Sequence, residues 1–178
     1  IDMNFGCPAK TVNRHRGGSV LLDEPEVVHQ LVKAVRDAIP SHIPVSAKMR
    51  LGYMDRNFTL ENAHAIEDAG AAWVTVHART KADGYTPPAF WDQLQPIREA
   101  LKINVIANGE IWSNADAKAC LQQSQCQDLM IGRGAVTTPD LTLCIRQNQD
   151  SAMLSWQDLV KLQQRFLSGQ YKTEIGMI

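Results

Sequence analysis

Five short apolar runs, each followed by a helical stretch, set the limits on how this chain can fold. The runs cover residues 1–5, 45–51, 72–78, 103–107 and 129–132. After the first run, residues 6–19 read as a loop. Asp23, with Glu26 three residues on and Pro25 in the first turn, has the pattern of a helix start. Val27, Val28, Leu31, Val32, Val35 and Ile39 then follow helical spacing until Pro40. Residues 59–69 form the next helical stretch, closed by Gly70. Residues 93–101 make a shorter one. Ser113, with Asp116 three residues later, caps a helix through Leu121. Residues 141–147 are helical, and a last amphipathic helix carries Trp156, Leu159, Leu162 and Phe166.

Strands alternating with helices imply a parallel sheet. The strand runs are apolar until their C-terminal ends, where polar groups gather. These are Asn4 and Cys7, Lys48 and Arg50, His77 and Arg79, Asn108 and Glu110, and Arg133. Consecutive strands that deliver functional groups at one end point to an α/β fold of the (β/α)8 TIM-barrel type. A doubly wound sheet gathers them at one switch point instead. Five units do not close an eight-stranded barrel, and the chain opens inside a strand. The expected form is therefore a partial barrel holding about the last five βα units, with strands missing on the N-terminal side. Residues 1–150 would form this partial barrel, and 151–178 the beginning of a C-terminal helical segment.

Composition narrows the class only a little. Apolar residues make 44% and charged residues 21% of the 178 residues, ordinary for a globular domain. No apolar run approaches the roughly 18 residues of a membrane span, and no signal peptide is visible, so no membrane partner is expected. The net charge of −1 gives no global argument for nucleic acid, so RNA contact would rest on local patches. One is the basic cluster Lys10, Arg14, His15 and Arg16 beside Gly17-Gly18. It suits phosphates, and equally a solvated, mobile loop. Cys7, Cys120, Cys126 and Cys144 form no C-x-x-C pair, so no metal is expected, and scattered thiols fit a reducing cytoplasm.

The strand-end motifs form an ordered set: Asn4-Phe5-Gly6-Cys7-Pro8, Lys48-Met49-Arg50, His77-Ala78-Arg79-Thr80, Asn108-Gly109-Glu110-Ile111 and Ile131-Gly132-Arg133-Gly134. Together they resemble the tRNA-dihydrouridine synthase family over most of residues 1–136. The string Lys10-Thr11-Val12-Asn13 and Glu110-Ile111-Trp112 look closest to the bacterial branch acting on uridine 16 of the tRNA D-loop. The resemblance implies an oxidoreductase, a cytoplasmic flavoprotein that reduces a tRNA uridine to 5,6-dihydrouridine. FMN is the implied cofactor, NADPH or NADH the reductant and tRNA the partner, with the full-length protein a monomer. The C-terminal segment would open a tRNA-binding domain, and the 178 residues alone would be inactive.

Reducing uracil adds a hydride at C6 and a proton at C5. The resemblance assigns the proton to Cys7. A thiol with an ordinary pKa of about 8.5 is mostly protonated near neutral pH and can serve as that acid. The competing reading is a small buried hydrophobe. Asn4 can donate and accept at a uracil edge or close an Asx turn. Lys48 and Arg50, two apart on one strand, point to the same side. Two such cations are costly unless something anionic compensates them. The resemblance puts Lys48 on the flavin and Arg50 near flavin or substrate; a local salt bridge is the alternative for Arg50. His77 looks like the family's flavin-contacting histidine. Arg79 binds a phosphate or braces a loop. Tyr85 stacks on an RNA base or anchors its proline-rich loop.

Asn108, Gly109 and Glu110, with Gly132, Arg133 and Gly134, close the last two strands. Barrels bind phosphate through these two loops. Glycine lets backbone N–H groups approach, and Arg133 adds a two-pronged donor. The resemblance makes this the FMN phosphate site. Two other functions fit the same pattern less fully. One is an FMN barrel dehydrogenase acting on a free pyrimidine, of the dihydroorotate dehydrogenase kind. The other is a non-catalytic truncated barrel module.

Overall fold

The computed structural model describes residues 1–151 and 154–175. Five strands form one parallel sheet in the order β1-β2-β3-β4-β5, which is also their order in the chain. They are β1 (Asp2–Asn4), β2 (Ser46–Arg50), β3 (Trp73–His77), β4 (Asn104–Asn108) and β5 (Asp128–Met130). The order never reverses, so there is no switch point, and the sheet is of the TIM-barrel type rather than doubly wound. Crossovers run through α2 (Pro25–Ala38), α3 (Thr59–Asp68), α4 (Leu94–Ala100) and α5 (Asn114–Ser124), each packed on the next.

The two faces of this sheet differ in chemistry. Successive side chains alternate across a strand. Ala47 and Met49, Val74 and Val76, and Val105 and Ala107 share one face and are all fully buried. They meet Val28 and Val32 of α2, Ala63 and Ile66 of α3, Leu94 and Ile97 of α4, and Cys120 of α5 in one apolar cluster. Burying this layer supplies the main driving force for the fold. The opposite face carries Asn4, Ser46, Lys48, Arg50, Thr75, His77 and Asn108. The strands are therefore alternating, not apolar up to their ends, and this face mixes those polar groups with Trp73 and Ile106.

Several local expectations are corrected. Asp23 does not cap α2: it belongs to a 3-10 turn, Gly18–Asp23, and Glu24 occupies the N-cap position without a side-chain cap bond. The segment 6–19 is not a plain loop, since it holds the short helix α1 (Lys10–Arg14) and the start of that turn. The fifth strand ends at Met130, and the chain turns directly into α6 (Arg133–Thr137). The Ser113 cap forms as expected, with its side chain accepting from Asp116 N. The helix α7 (Leu141–Arg146) precedes α8 (Trp156–Ile175). On α8, Trp156 and Phe166 are exposed. The expected segment 151–178 lies partly outside the described residues.

Candidate active site

The register of the sheet brings the strand ends together. Asn4 pairs with Lys48, Arg50 with His77, His77 with Asn108, and Asn108 with Met130. A cavity of about 240 Å³ opens there. Asn4, Lys48, Arg50, His77, Tyr85, Asn108, Gly109, Glu110, Gly132 and Arg133 all line it. Of the strand-end residues singled out in the sequence, Cys7 and Arg79 are not in its wall.

Lys48 is the least compensated group. No hydrogen bond or ion pair holds its ammonium among the described residues. Burial, with Arg50 beside it, pulls its pKa from 10.5 to about 8. His77 is pushed further, from 6.5 down to about 3, by burial and then by Arg50, Lys48, Arg79 and Arg133. It is a neutral imidazole at physiological pH, and its buried Nδ1 has no partner. Thr75 Oγ1, in register with Lys48, is likewise buried and unpartnered.

Arg50 lines the cavity, and the local salt bridge that was its alternative does not form among the described residues. Its Nε donates to Gly6 O (2.9 Å), and its Nη1 to Thr80 O (2.9 Å) and Gly84 O (3.0 Å). One buried guanidinium thus ties the loops after β1 and β3 to β2. Arg79, fully buried, also braces: Nε donates to Pro88 O (3.2 Å) and Nη1 to Glu110 Oε1 (3.2 Å). Its Nη2 is equally near that oxygen, at 3.2 Å, but without hydrogen-bond geometry.

Among the described residues, Glu110 is the only carboxylate in the cavity wall. It stands at φ 55°, in the left-handed region. Besides Arg79 it accepts from Arg133 Nη2 (2.7 Å) and from Trp112 Nε1 (3.3 Å). The Arg133 guanidinium lies 4.7 Å from the Tyr85 ring centroid and 5.0 Å from that of Trp112. Tyr85 is 52% exposed, at the rim. Asn108 Nδ2 donates to Met130 O (2.7 Å), joining β4 to β5. An ideal Cβ on Gly132 would meet nothing within 4 Å, so its backbone is open to a ligand.

Asn4 accepts from Gly6 N (2.8 Å) through Oδ1, the Asx turn that the sequence allowed, while its side chain still borders the cavity. Cys7 follows at once, partly exposed. Its carbonyl is held by Ser19 N (3.1 Å), Ser19 Oγ (2.9 Å) and Asn13 Nδ2 (3.0 Å). Asn13 also donates to Gly17 O (2.8 Å). Gly18, at φ 64°, leaves no room for a side chain: a Cβ would sit 2.8 Å from Cys7 O. Asn13, Ser19 and Gly18 were not singled out as site residues in the sequence. Their signal is the Asn-x3-Gly-Gly-Ser string after Cys7. Of the basic cluster, Lys10 and Arg14 lie on α1, and exposed Arg16 pairs with Glu24 (2.5 Å).

No group of three or more metal-ligating side chains occurs among the described residues, and no helix there is long and apolar enough to cross a membrane. Residues 1–173 match the family model described as dihydrouridine synthase (Dus). A protein of Shewanella oneidensis named tRNA-dihydrouridine(16) synthase is 49% identical over 174 residues, covering 96% of this chain and 55% of that protein. One of the same name from Pseudomonas putida is 49% identical over 169 residues, covering 93% of this chain and 52% of that one. A third, from Haemophilus influenzae, is 44% identical over 177 residues, covering 99% and 56%. The chain spans about half the length of the curated relatives it matches.

Proposed function

The chain belongs to the dihydrouridine synthase family, and we propose that it carries the catalytic site of an FMN-dependent enzyme reducing uridine 16 of the tRNA D-loop to 5,6-dihydrouridine, with NADPH or NADH as reductant. The observation that carries the cofactor reading is Lys48, a partly buried cation in the cavity wall with no partner among the described residues, beside the unpartnered Nδ1 of His77. A buried unpaired charge is costly, and an anionic ring system at this place compensates it. The relatives' printed names supply the tRNA and the position.

Lys48 and His77 would hold the flavin ring. Asn108–Glu110, Gly132 and Arg133 would hold its phosphate, Arg133 exchanging its contact with Glu110 for the phosphate oxygens. When bound, the reduced flavin supplies the hydride that arrives at C6 of the uracil. Asn4 and Arg50 orient the base, and Tyr85 closes over it. The Cys7 thiol gives its proton to C5. The thiolate left behind takes a proton from solvent, which restores the acid. The hydrogen bonds on the Cys7 carbonyl fix the segment that presents this thiol.

The five βα units would form part of an eight-stranded barrel. In support, β1 and β5 each have one neighbour in the sheet, and an open parallel edge is a liability that closure removes. Residues 1–150 would be the barrel part and 151–178 the start of a helical tRNA-binding segment. The full-length protein is tested by NAD(P)H oxidation with unmodified tRNA, with Cys7→Ala as control. Turnover that falls at least a hundredfold in Cys7→Ala with flavin retained is expected, the low end of what positioned acid catalysis contributes. Full activity of that variant refutes the acid role. Turnover of a free pyrimidine without RNA would favour the small-molecule dehydrogenase reading instead.

A further inference from the structure

A second concavity of about 290 Å³ lies beside the main cavity. Its wall includes Pro87, Pro88, Trp91, Trp112, Asp116 and Gln123. Trp112 and Glu110 line both spaces and so form the partition between them. We propose that this groove binds a nucleobase flanking the target base in the RNA strand, with Trp112 as its stacking platform. This rests on the RNA-modifying reading given above and adds a base-binding site to it.

Two prolines and two tryptophans offer flat apolar surfaces, the shape that planar bases stack on. Trp112 is 38% exposed although large and aromatic. It is also rigid. Its backbone N donates to Asp116 Oδ2 (3.1 Å), its Nε1 to Glu110 Oε2 (3.3 Å), and its ring lies 5.0 Å from the Arg133 guanidinium. A preorganised aromatic binds with little further loss of side-chain freedom.

Charge fits a nucleic acid strand crossing the partition. The two carboxylates at the groove are engaged internally: Glu110 by Arg79 and Arg133, Asp116 by Trp112 N and Ser113 Oγ. Arg133 stands on the cavity side with its side chain half exposed. The Gln123 amide has no hydrogen bond among the described residues. It can donate and accept at a base edge. An oligopeptide would instead need backbone donors and acceptors along the groove, and the prolines supply no donor there.

The test uses flavin-loaded protein and a short fluorescein-labelled oligouridylate, with affinity read by anisotropy over a salt series. Trp112→Ala is expected to weaken binding about tenfold, the effect of losing one stacked base. Its flavin content and salt slope should stay at the wild-type values, because no phosphate contact is lost. Trp112→Phe, which keeps a stacking face but loses the bond to Glu110, is expected to stay within about threefold of wild type. Wild-type affinity in Trp112→Ala overturns the proposal and leaves the RNA reading intact. So does a loss in Trp112→Phe as large as in Trp112→Ala, or a parallel loss of flavin, since either would make Trp112 a brace for Glu110 and Arg133. A wild-type protein that holds flavin and binds no RNA overturns both readings.

Discussion

Lys48→Met should make the flavin-free protein more stable while removing its capacity to hold flavin. The fall of the Lys48 pKa from 10.5 to about 8 corresponds, at about 1.36 kcal/mol per pH unit, to about 3 kcal/mol of unfavourable charge burial near neutral pH. Methionine keeps most of the apolar stem and removes the charge. That net fall already includes the opposing attraction of Asp2, and because Lys48 is only partly buried the expected increase is about 1–3 kcal/mol. Urea unfolding at pH 7 measures it. The pH dependence gives an independent check. The folded state sheds the Lys48 proton at about 8, whereas the unfolded chain keeps it to its ordinary 10.5. The unfolded state then binds more protons, so wild-type stability rises with pH through this window relative to the variant. Above both values the two proteins converge. Added FMN should stabilise the wild type by mass action, by about 2.7 kcal/mol at a hundred times Kd, and leave Lys48→Met unchanged. A variant less stable than wild type at pH 7, or one stabilised equally by FMN, would refute the claim that this charge awaits an anion.

Two further substitutions probe the supports of the site. Gly18→Ala places a Cβ 2.8 Å from Cys7 O at φ 64°, so a loss of about 1–3 kcal/mol in urea unfolding is expected. Turnover with tRNA should fall in kcat at unchanged flavin content, whereas an unchanged kcat would detach this turn from Cys7. Arg79→Met removes a fully buried partner of Glu110. Breaking such a pair costs about 3–5 kcal/mol, and the low end is expected because Arg133 and Trp112 remain on the carboxylate. A double-mutant cycle with Glu110→Gln should give a coupling of about 1 kcal/mol or more; additivity would mean that the two groups act independently.

The architecture was legible because it rests on local pattern. Alternating strands and helices, with polar groups at one strand end, give a parallel sheet of barrel type, and the i, i+2 spacing of Lys48 and Arg50 puts both on the cavity side. The pairing of each cation was not legible. Arg50 meets Gly6 across 44 residues and Arg79 meets Glu110 across 31, distances at which no spacing rule operates. The short helix α1 was missed because Lys10–Arg14 has no apolar periodicity. It is held instead by Asn13, whose Nδ2 donates back to Cys7 O and forward to Gly17 O. The cap at Asp23 failed because the chain reaches α2 through a 3-10 turn, which leaves Asp23 one position early. Trp112 was visible as a motif letter only, and its role depends on the groove formed with the loop at Pro87-Pro88.

Lys48, Arg50 and Arg133 line this cavity, with Arg79 buried against Glu110, and the way that carboxylate is shared divides their roles. Arg79 is fully buried and spends its donors on Pro88 O and Glu110. Arg50 spends its own on three carbonyls. Arg79 cannot turn to a ligand without breaking the loop it fastens, whereas Arg50 fastens its loops through Nε and Nη1 and still lines the cavity. Arg133 is half exposed and shares Glu110 with Arg79, so it can leave while the carboxylate stays compensated. Lys48 has nothing to leave. The fixed pair therefore keeps the strand-end loops in place, and on the proposed reading the remaining two cations would carry the charge that the flavin neutralises. Glu110, held in a strained backbone conformation, links the two sets: it anchors Arg79 permanently and keeps Arg133 at the partition with Trp112 until an anion takes its place.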